Sequence, residues 1–259
     1  MIVLRILITG ARSGIGFNLG KELVSRGHSV YFSTHTEKEM ESLKEKLKEE
    51  KIDALCFKMD ITTSDIELVD TLKIDVLICN AAIGVGGSIL YMDINDIREN
   101  YEVNVFSTIN LIKRVYNNMK KDNIDGKIFT ISSLAGYFSF PFLSSYSSSK
   151  MALSTIIKSL SKELKYLDSN ISISLVELGA YKTGFNQVMI DNKEKYSSID
   201  KNYKKINEEQ RKMFSKIESE DFTSLSNKLI KNIESSRPKT YIRKPFLQSL
   251  FAKIYFIFH

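Results

Sequence analysis

The sequence predicts a doubly wound parallel α/β sheet folded as one domain. Three observations predict it: short apolar runs alternate with helix-patterned segments, a glycine-rich turn follows the first run, and no linker divides the chain. At 259 residues the chain is long enough to bury a full core. It has three prolines and no Pro- or Gly-rich stretch, so residues 1–259 read as a single domain.

Residues 2–8 are apolar and predict the first buried strand. The run is too short for a signal peptide and passes straight into the glycine turn. Residues 14–26 have a helical pattern, and residues 30–33 form a second strand. Thr36, with Glu39 three residues on, predicts a capping box that opens a charged helix running to about Glu50. Residues 54–58 and 75–79 are the third and fourth strands, and residues 95–120 a long helix. Residues 127–132 form a fifth strand, 147–167 a helix and 171–177 a sixth strand. Runs this uniformly apolar suit strands covered on both faces, hence a parallel sheet. Beyond Glu177 the pattern loosens. Residues 184–220 are polar, with Phe185, Met189, Ile190, Tyr196, Tyr203 and Met213 spaced through them, and read either as a substrate lid or as surface helices at the domain edge.

The net charge is +6, and most lysines alternate with glutamates, as over residues 37–51. That is a solvated helix face, with no motif for nucleic acid. The exception is the tail, residues 237–259, which carries Arg237, Lys239, Arg243, Lys244 and Lys253 and no acid. Its apolar part, 245–258, is too short and interrupted to span a bilayer. It is expected to cover a substrate cleft, to pack against a second subunit, or to lie on an anionic membrane. Cys56 and Cys79 sit in strand-like runs, as reduced buried thiols of a cytoplasmic protein do. His28, His35 and His259 are scattered, so no metal site is expected.

Two features carry chemistry. Tyr146 and Lys150 stand four residues apart at the start of a helical run, which puts both on one face. A phenol is a weak acid near neutrality. An ammonium one turn away favours phenolate, and a phenol tuned in this way can exchange a proton with a carbonyl or alcohol oxygen. The second feature is the turn Thr9-Gly10-Ala11-Arg12-Ser13-Gly14-Ile15-Gly16. Its glycines let the backbone approach a pyrophosphate, and the helix that follows aims its N-terminal N–H groups at that anion.

Further motifs follow in order: Asp60-Ile61, Asn80-Ala81, Asn104 between two valines, Ser132-Ser133, then Gly179 and Thr183. Together they resemble the short-chain dehydrogenase/reductase family in its single-domain, Rossmann-like form, over about residues 4–183. The resemblance implies a dinucleotide-dependent oxidoreductase that interconverts a carbonyl and a secondary alcohol. Gly10, Arg12, Ser13, Gly14, Ile15 and Gly16 would hold the cofactor, with Asp60 and Ile61 at the adenine and Asn80 and Ala81 lining the cleft. Gly179 and Thr183 would close over the nicotinamide. The implied tetrad is Asn104, Ser133, Tyr146 and Lys150. Tyr146 is the acid-base group and Ser133 a hydrogen-bond donor to the reacting oxygen. Lys150 depresses the Tyr146 pKa and binds the ribose, and Asn104 holds a relay water. Three positions depart from the family pattern: Cys79 replaces an asparagine, Ala82 a glycine, and Leu178 a proline that would have fixed the loop before Gly179.

The end of the second strand decides the cofactor. Thr34 stands where an acid would select NAD, and Arg12, with Thr34, His35 and Thr36 near it, suits a 2′-phosphate. NADP is therefore expected ahead of NAD. The tail is similar to those of relatives acting on lipophilic alcohols and ketones. The resemblance also implies a homodimer or homotetramer joined through the helices over 95–120 and 147–167, where Ile156, Ile157, Leu160 and Leu164 suit an interface or the core. The rival readings are a regulatory or scaffold protein that binds dinucleotide without turnover, and a peripheral membrane protein.

Overall fold

Seven strands build one parallel sheet in the computed structural model, which describes residues 2–192, Tyr196 and residues 202–258, the last three without side chains. They are β1 (Arg5–Ile8), β2 (Ser29–Thr34), β3 (Leu55–Lys58), β4 (Val76–Cys79), β5 (Lys127–Ser133), β6 (Ser172–Leu178) and β7 (Tyr241–Lys244). The spatial order is β3-β2-β1-β4-β5-β6-β7. Every pairing is parallel, with Ile6 opposite Val30 and Val76, and Ile131 opposite Val176. The direction in which strands are added reverses between β1 and β4, which opens a crevice at their carboxyl ends.

Alternate residues of each strand feed two cores. Ile6, Ile8, Phe32 and Ile78 face α1 (Gly14–Ser25), α2 (Glu37–Glu49) and α8 (Phe222–Ile233). Leu7, Leu77, Ile128 and Leu175 face α4 (Thr108–Lys121) and α5 (Ser144–Tyr166). Phe32 is fully buried, and a Cβ at Gly20 would lie 2.3 Å from its ring, so α1 seats directly on β2. Each such large apolar side chain contributes about 1.5–3 kcal/mol on burial. The Thr36 half of the expected capping box forms, with the Glu39 amide donating to the Thr36 hydroxyl at 3.2 Å, while the Glu39 carboxylate takes the His35 amide in place of that of Thr36.

The helix expected over 95–120 is interrupted. It is α3 (Ile94–Tyr101), then a π-helical stretch over Glu102–Ser107, then α4. The Thr108 hydroxyl donates to the Val103 carbonyl, five residues back, across this widened turn (3.1 Å). Such turns recur at functional sites, and this one carries Asn104. Of the residues suited to an interface, Ile157 and Leu164 are buried in the core, Leu160 packs against it and Ile156 is exposed.

The segment 184–220 contains α6 (Phe185–Asp191) and α7 (Asn202–Ile217); its residues 193–195 and 197–201 lie outside the described residues, as do Met1 and His259. Beyond it stand α8 and β7, to which the sequence reading assigns no element. The tail then forms α9 (Phe246–Phe258), which packs against the short 3₁₀ turn Leu134–Tyr137 and the residue after it. Phe138 stacks on Phe251 and Tyr255, with ring centroids 5.8 and 4.9 Å away.

A buried carboxylate ties the tail to the sheet. Glu177 on β6 is 1% exposed. It accepts from the Tyr137 hydroxyl (2.7 Å) and from Arg243 Nε of β7 (2.5 Å), with Lys158 Nζ of α5 3.4 Å away. Burial pushes the Glu177 carboxyl up, but these bonds and charges outweigh it and hold it below its ordinary value. Arg243→Leu is expected to destabilise the fold by about 3 kcal/mol, because it leaves the carboxylate buried with one remaining cation. Urea unfolding measures the loss, and Arg243→Lys should recover part of it.

Candidate active site

The crevice between β1 and β4 is stitched by one threonine and one asparagine. The Thr9 hydroxyl accepts from the amides of Asn80 and Ala81, each at 3.0 Å. Asn80 Nδ2 donates to the carbonyls of Thr9 and Gly10, each at 2.9 Å. The two loops are pressed so close that glycine is required. Gly10 has φ +61°, and a Cβ there would lie 2.7 Å from the Ala81 Cα; at Gly16 it would lie 2.7 Å from Asn80 Nδ2. Ser13 is the N-cap of α1 and makes no side-chain cap bond, so its hydroxyl does not claim the first-turn amides. A helix N-terminus beside a glycine cradle fits a pyrophosphate, and the residues present therefore fit a dinucleotide.

Farther along β5 and α5, Ser133, Tyr146 and Lys150 meet. Ser133 caps the 3₁₀ turn, accepting from the Ala135 amide at 3.1 Å, and its side chain is the neighbour that pulls the Tyr146 phenol down. Lys150 Nζ lies 5.9 Å from the Tyr146 ring centroid and donates weakly to the Ile131 carbonyl at 3.5 Å. Burial pushes the Tyr146 hydroxyl up to about 12, against the downward pull of Ser133. Burial also brings Lys150 down to about 8. This differs from the sequence expectation that the lysine depresses the phenol. Both groups are removed from water, which disfavours the charged form of each, and the downward pull comes from Ser133. Asn104 is fully buried behind them. Its Oδ1 accepts from the Ile83 amide (3.0 Å), and its Nδ2 donates to the Ile83 carbonyl (2.9 Å) and to Ser149 Oγ (3.1 Å). Both amide hydrogens are thus committed, so a water would have to bond to the second Oδ1 lone pair or to the backbone.

At the other end of the crevice four charged or ionisable side chains form a chain. Arg12 Nε lies 3.3 Å from Glu39 Oε1, and the other Glu39 oxygen accepts from the His35 amide at 3.1 Å. His35 Nε2 lies 3.2 Å from Asp60 Oδ2. Burial raises the Asp60 carboxyl, but bonds from Thr62 and the His35 contact outweigh it and hold it below the ordinary range.

All of this lines one cleft of about 1650 Å³. Gly10, Arg12, Ser13, Gly14, Ile15, His35, Asp60, Ile61, Asn80, Ala81, Ser133, Tyr146, Lys150, Gly179 and Thr183 are in its wall. Gly16, Thr34 and Asn104 stand behind it: Gly16 packs on Asn80, Thr34 is buried with its hydroxyl on the Thr36 carbonyl, and Asn104 is held by Ile83. Of the aromatic residues after Ser133, Phe138 and Phe140 reach the cleft. Tyr137 turns to Glu177, and Phe142 packs on Tyr203. Motif reading missed Glu39, whose capping role hid its place beside Arg12, and Leu247 and Phe251 of α9. Leu178 does not loosen the loop after β6. It pairs with Lys244, the Gly179 amide donates to the Lys244 carbonyl at 2.7 Å, and Gln248 accepts from the Ala180 amide at 2.9 Å. Cys79 is a core thiol that burial pushes up to about 12. Among the described residues no group of His, Cys, Asp and Glu is placed to hold a metal ion, and no helix is long and apolar enough to cross a membrane.

The family model for short chain dehydrogenases matches residues 5–194, the stretch that carries every one of these motifs. The chain belongs to the short-chain dehydrogenase family. As a short-chain dehydrogenase it is an NAD(P)-dependent oxidoreductase. It is 31% identical over 202 residues to a short-chain type dehydrogenase/reductase of Helicobacter pylori, VdlC, covering 74% of this chain and 70% of that one. It is 31% identical over 185 residues to a 3-ketodihydrosphingosine reductase of Bacteroides thetaiotaomicron, covering 70% of this chain and 65% of that one. It is 30% identical over 191 residues to an NADPH-dependent 3-dehydrocapnine reductase of Ornithobacterium rhinotracheale, covering 68% and 65%. The chain thus spans about two thirds of the length of these relatives. A short-chain dehydrogenase/reductase of Burkholderia phymatum solved with NAD has the same fold, with TM-score 0.81 at 20% identity over 97% of this chain and 92% of that one.

Proposed function

We propose that this short-chain dehydrogenase reduces a lipophilic ketone, or oxidises the matching secondary alcohol, with NADP preferred over NAD. The observation that carries the reading is the surroundings of Tyr146. Its hydroxyl meets Ser133, while its ring lies in an apolar cluster with Leu143, Met189, Ile190 and Phe214, and 5.6 Å from the ring of Phe185. A polar pair at the head of an apolar pocket suits one oxygen on a hydrocarbon substrate. The names of the sphingosine and capnine relatives fit a substrate of that kind.

In this mechanism Tyr146 donates the proton to the carbonyl oxygen, and Ser133 hydrogen-bonds that oxygen as charge develops on it. The bound dinucleotide supplies the hydride. Lys150 holds the ribose and, protonated below about pH 8, places positive charge beside the phenol. Asn104 is a positioning residue that fixes Ile83 and Ser149 around the lysine and anchors the relay water. Arg12, Ser13, Gly14 and Ile15 hold the phosphates, with Asp60 and Ile61 at the adenine. A homodimer or homotetramer in the cytoplasm, with contact between the tail and a membrane, belongs to the same reading.

The cofactor preference rests on Arg12, which now faces Glu39 rather than an acid at the end of β2. Glu39→Gln removes the competitor of a 2′-phosphate. It is expected to tighten NADPH about three- to tenfold with little change for NADH, an effect of about 1 kcal/mol at an exposed pair. Fluorescence titration of both dinucleotides reads it. The substrate reading is tested with a ketone series: kcat/KM should rise with alkyl length, by up to about tenfold per two methylenes while the chain stays inside the cleft. A flat series would contradict it.

A further inference from the structure

Helix α9 is inverted. The face it lays on its own domain is mostly small and polar: Ser249 and Ala252 are buried, at 6% and 1% exposure, with Tyr255 beside them on the Phe138 ring. Gln248 clamps it there, accepting from the Ala180 amide and donating to the Ile217 carbonyl at 2.7 Å. Most of the bulky apolar surface points away, although Phe251 at the edge of that arc also touches the Phe138 ring. Phe246, Leu247, Leu250, Phe251 and Ile254 are all exposed, Leu247 at 75%. At about 100° per residue these five fall within one arc of about 140°. A surface helix ordinarily buries such an arc.

The patch continues past the helix. Leu247 and Phe251 also line the cleft, and so do Val188 of α6 and Ile217 of α7, which are exposed as well. Exposed apolar residues from three helices therefore rim the mouth of the cavity that leads to Tyr146.

We propose that this rim docks the protein on an anionic lipid surface, with α9 lying in the membrane plane and the cleft mouth turned toward the bilayer. The proposal deepens the function given above and rests on it for the lipophilic substrate. Charge selects the occupant. The apolar tail from residue 245 to 259 has no acid, Lys253 of α9 is exposed, and Lys216 is exposed in the last turn of α7 beside Ile217. Each such base contributes about 1 kcal/mol near an anionic leaflet. The neighbouring Glu220 is paired with Lys182 (2.5 Å). Packing selects the orientation, because Gln248, Ser249 and Ala252 hold α9 along the surface of the domain with its apolar arc outward. A second copy fits less well, since pairing through this face would seat it across the cleft mouth.

The test is flotation of the full chain with phosphatidylcholine vesicles, with and without phosphatidylglycerol. It is run beside the triple variant Phe246→Ser, Leu250→Ser, Ile254→Ser, none of which lines the cleft. The native chain should float with the anionic vesicles, and less so as salt rises. The variant should lose about tenfold or more of that binding. It should keep its turnover of a short water-soluble ketone and lose turnover of a bilayer-held one. Failure of the native chain to float, or equal flotation of the variant, would overturn the proposal. So would a variant that falls from dimer to monomer while neither form binds vesicles, which would make the face a subunit interface. Should the triple variant not fold, Lys253→Glu must still weaken flotation on anionic vesicles, and unchanged binding would count against the proposal. Vesicle binding without turnover of any ketone would instead sink the proposed function and leave the docking in place.

Discussion

Tyr146→Phe is expected to lower kcat by about two to four orders of magnitude, the usual worth of a positioned acid-base group. Dinucleotide affinity and fold should be unchanged. The ring of Tyr146 is buried against Leu143, Met189 and Phe185, and a phenylalanine keeps that packing. What disappears is the hydroxyl and the proton it carries beside Ser133. That interaction with the reacting oxygen is made in the transition state, so kcat and kcat/KM should fall together while KM stays near its starting value. Steady-state kinetics with a dinucleotide titration separates these quantities. A variant that turns over within tenfold of the native rate would remove Tyr146 from the chemistry.

Lys150→Met is expected to abolish most activity and yet stabilise the protein. Burial brings the lysine from 10.5 to about 8. Its pKa is therefore lower folded than unfolded, and below about pH 8 the folded chain carries a buried ammonium that the unfolded chain would solvate. The cost at pH 7 is about 3 kcal/mol at 1.36 kcal/mol per pKa unit. Between about 8 and 10.5 the unfolded chain binds the proton that the folded chain has lost, so native stability rises with pH and the cost fades. Methionine removes the charge at similar volume. The variant should gain about 3 kcal/mol at pH 7 and lose this advantage by about pH 10.5. Urea unfolding at the two pH values reads it, and a destabilised variant at pH 7 would contradict the account. The same titration sets the native pH profile. Carbonyl reduction should decline as pH rises through about 8, where Lys150 loses its proton.

The fold was legible from β1 to β6 because each buried strand is a short apolar run next to a helix with its own period. The Thr36 cap and the glycine turn also stand where local chemistry alone predicts them. The π-helical interruption was hidden, since residues 95–120 keep a helical pattern through it and the widening shows only in the folded chain, where the Thr108 hydroxyl reaches the Val103 carbonyl. Strand β7 was hidden because Tyr241–Lys244 has two bases in four residues; it is an edge strand whose arginine is paid for by Glu177 across the sheet. The tail was the hardest element. Its apolar sequence argues for burial, and the structure buries the serine and alanine instead. At the site, motif spacing brought the reacting groups together but could not weigh burial against charge. The phenol is therefore raised where the lysine alone would have lowered it. Glu39 shows the same limit, because a residue with an evident structural role can also face the cofactor cleft.

The central claim is that Tyr146 protonates a lipophilic ketone in an NADP-preferring site. The most direct test is the initial rate of NADPH and NADH oxidation by the purified chain against long-chain, aromatic and steroid-like ketones, with Tyr146→Phe beside it. The account predicts turnover of a lipophilic ketone that is faster with NADPH and lost in the variant. Tight dinucleotide binding with no turnover of any ketone, or of any alcohol in reverse, would contradict it and make the chain a dinucleotide-binding regulatory protein.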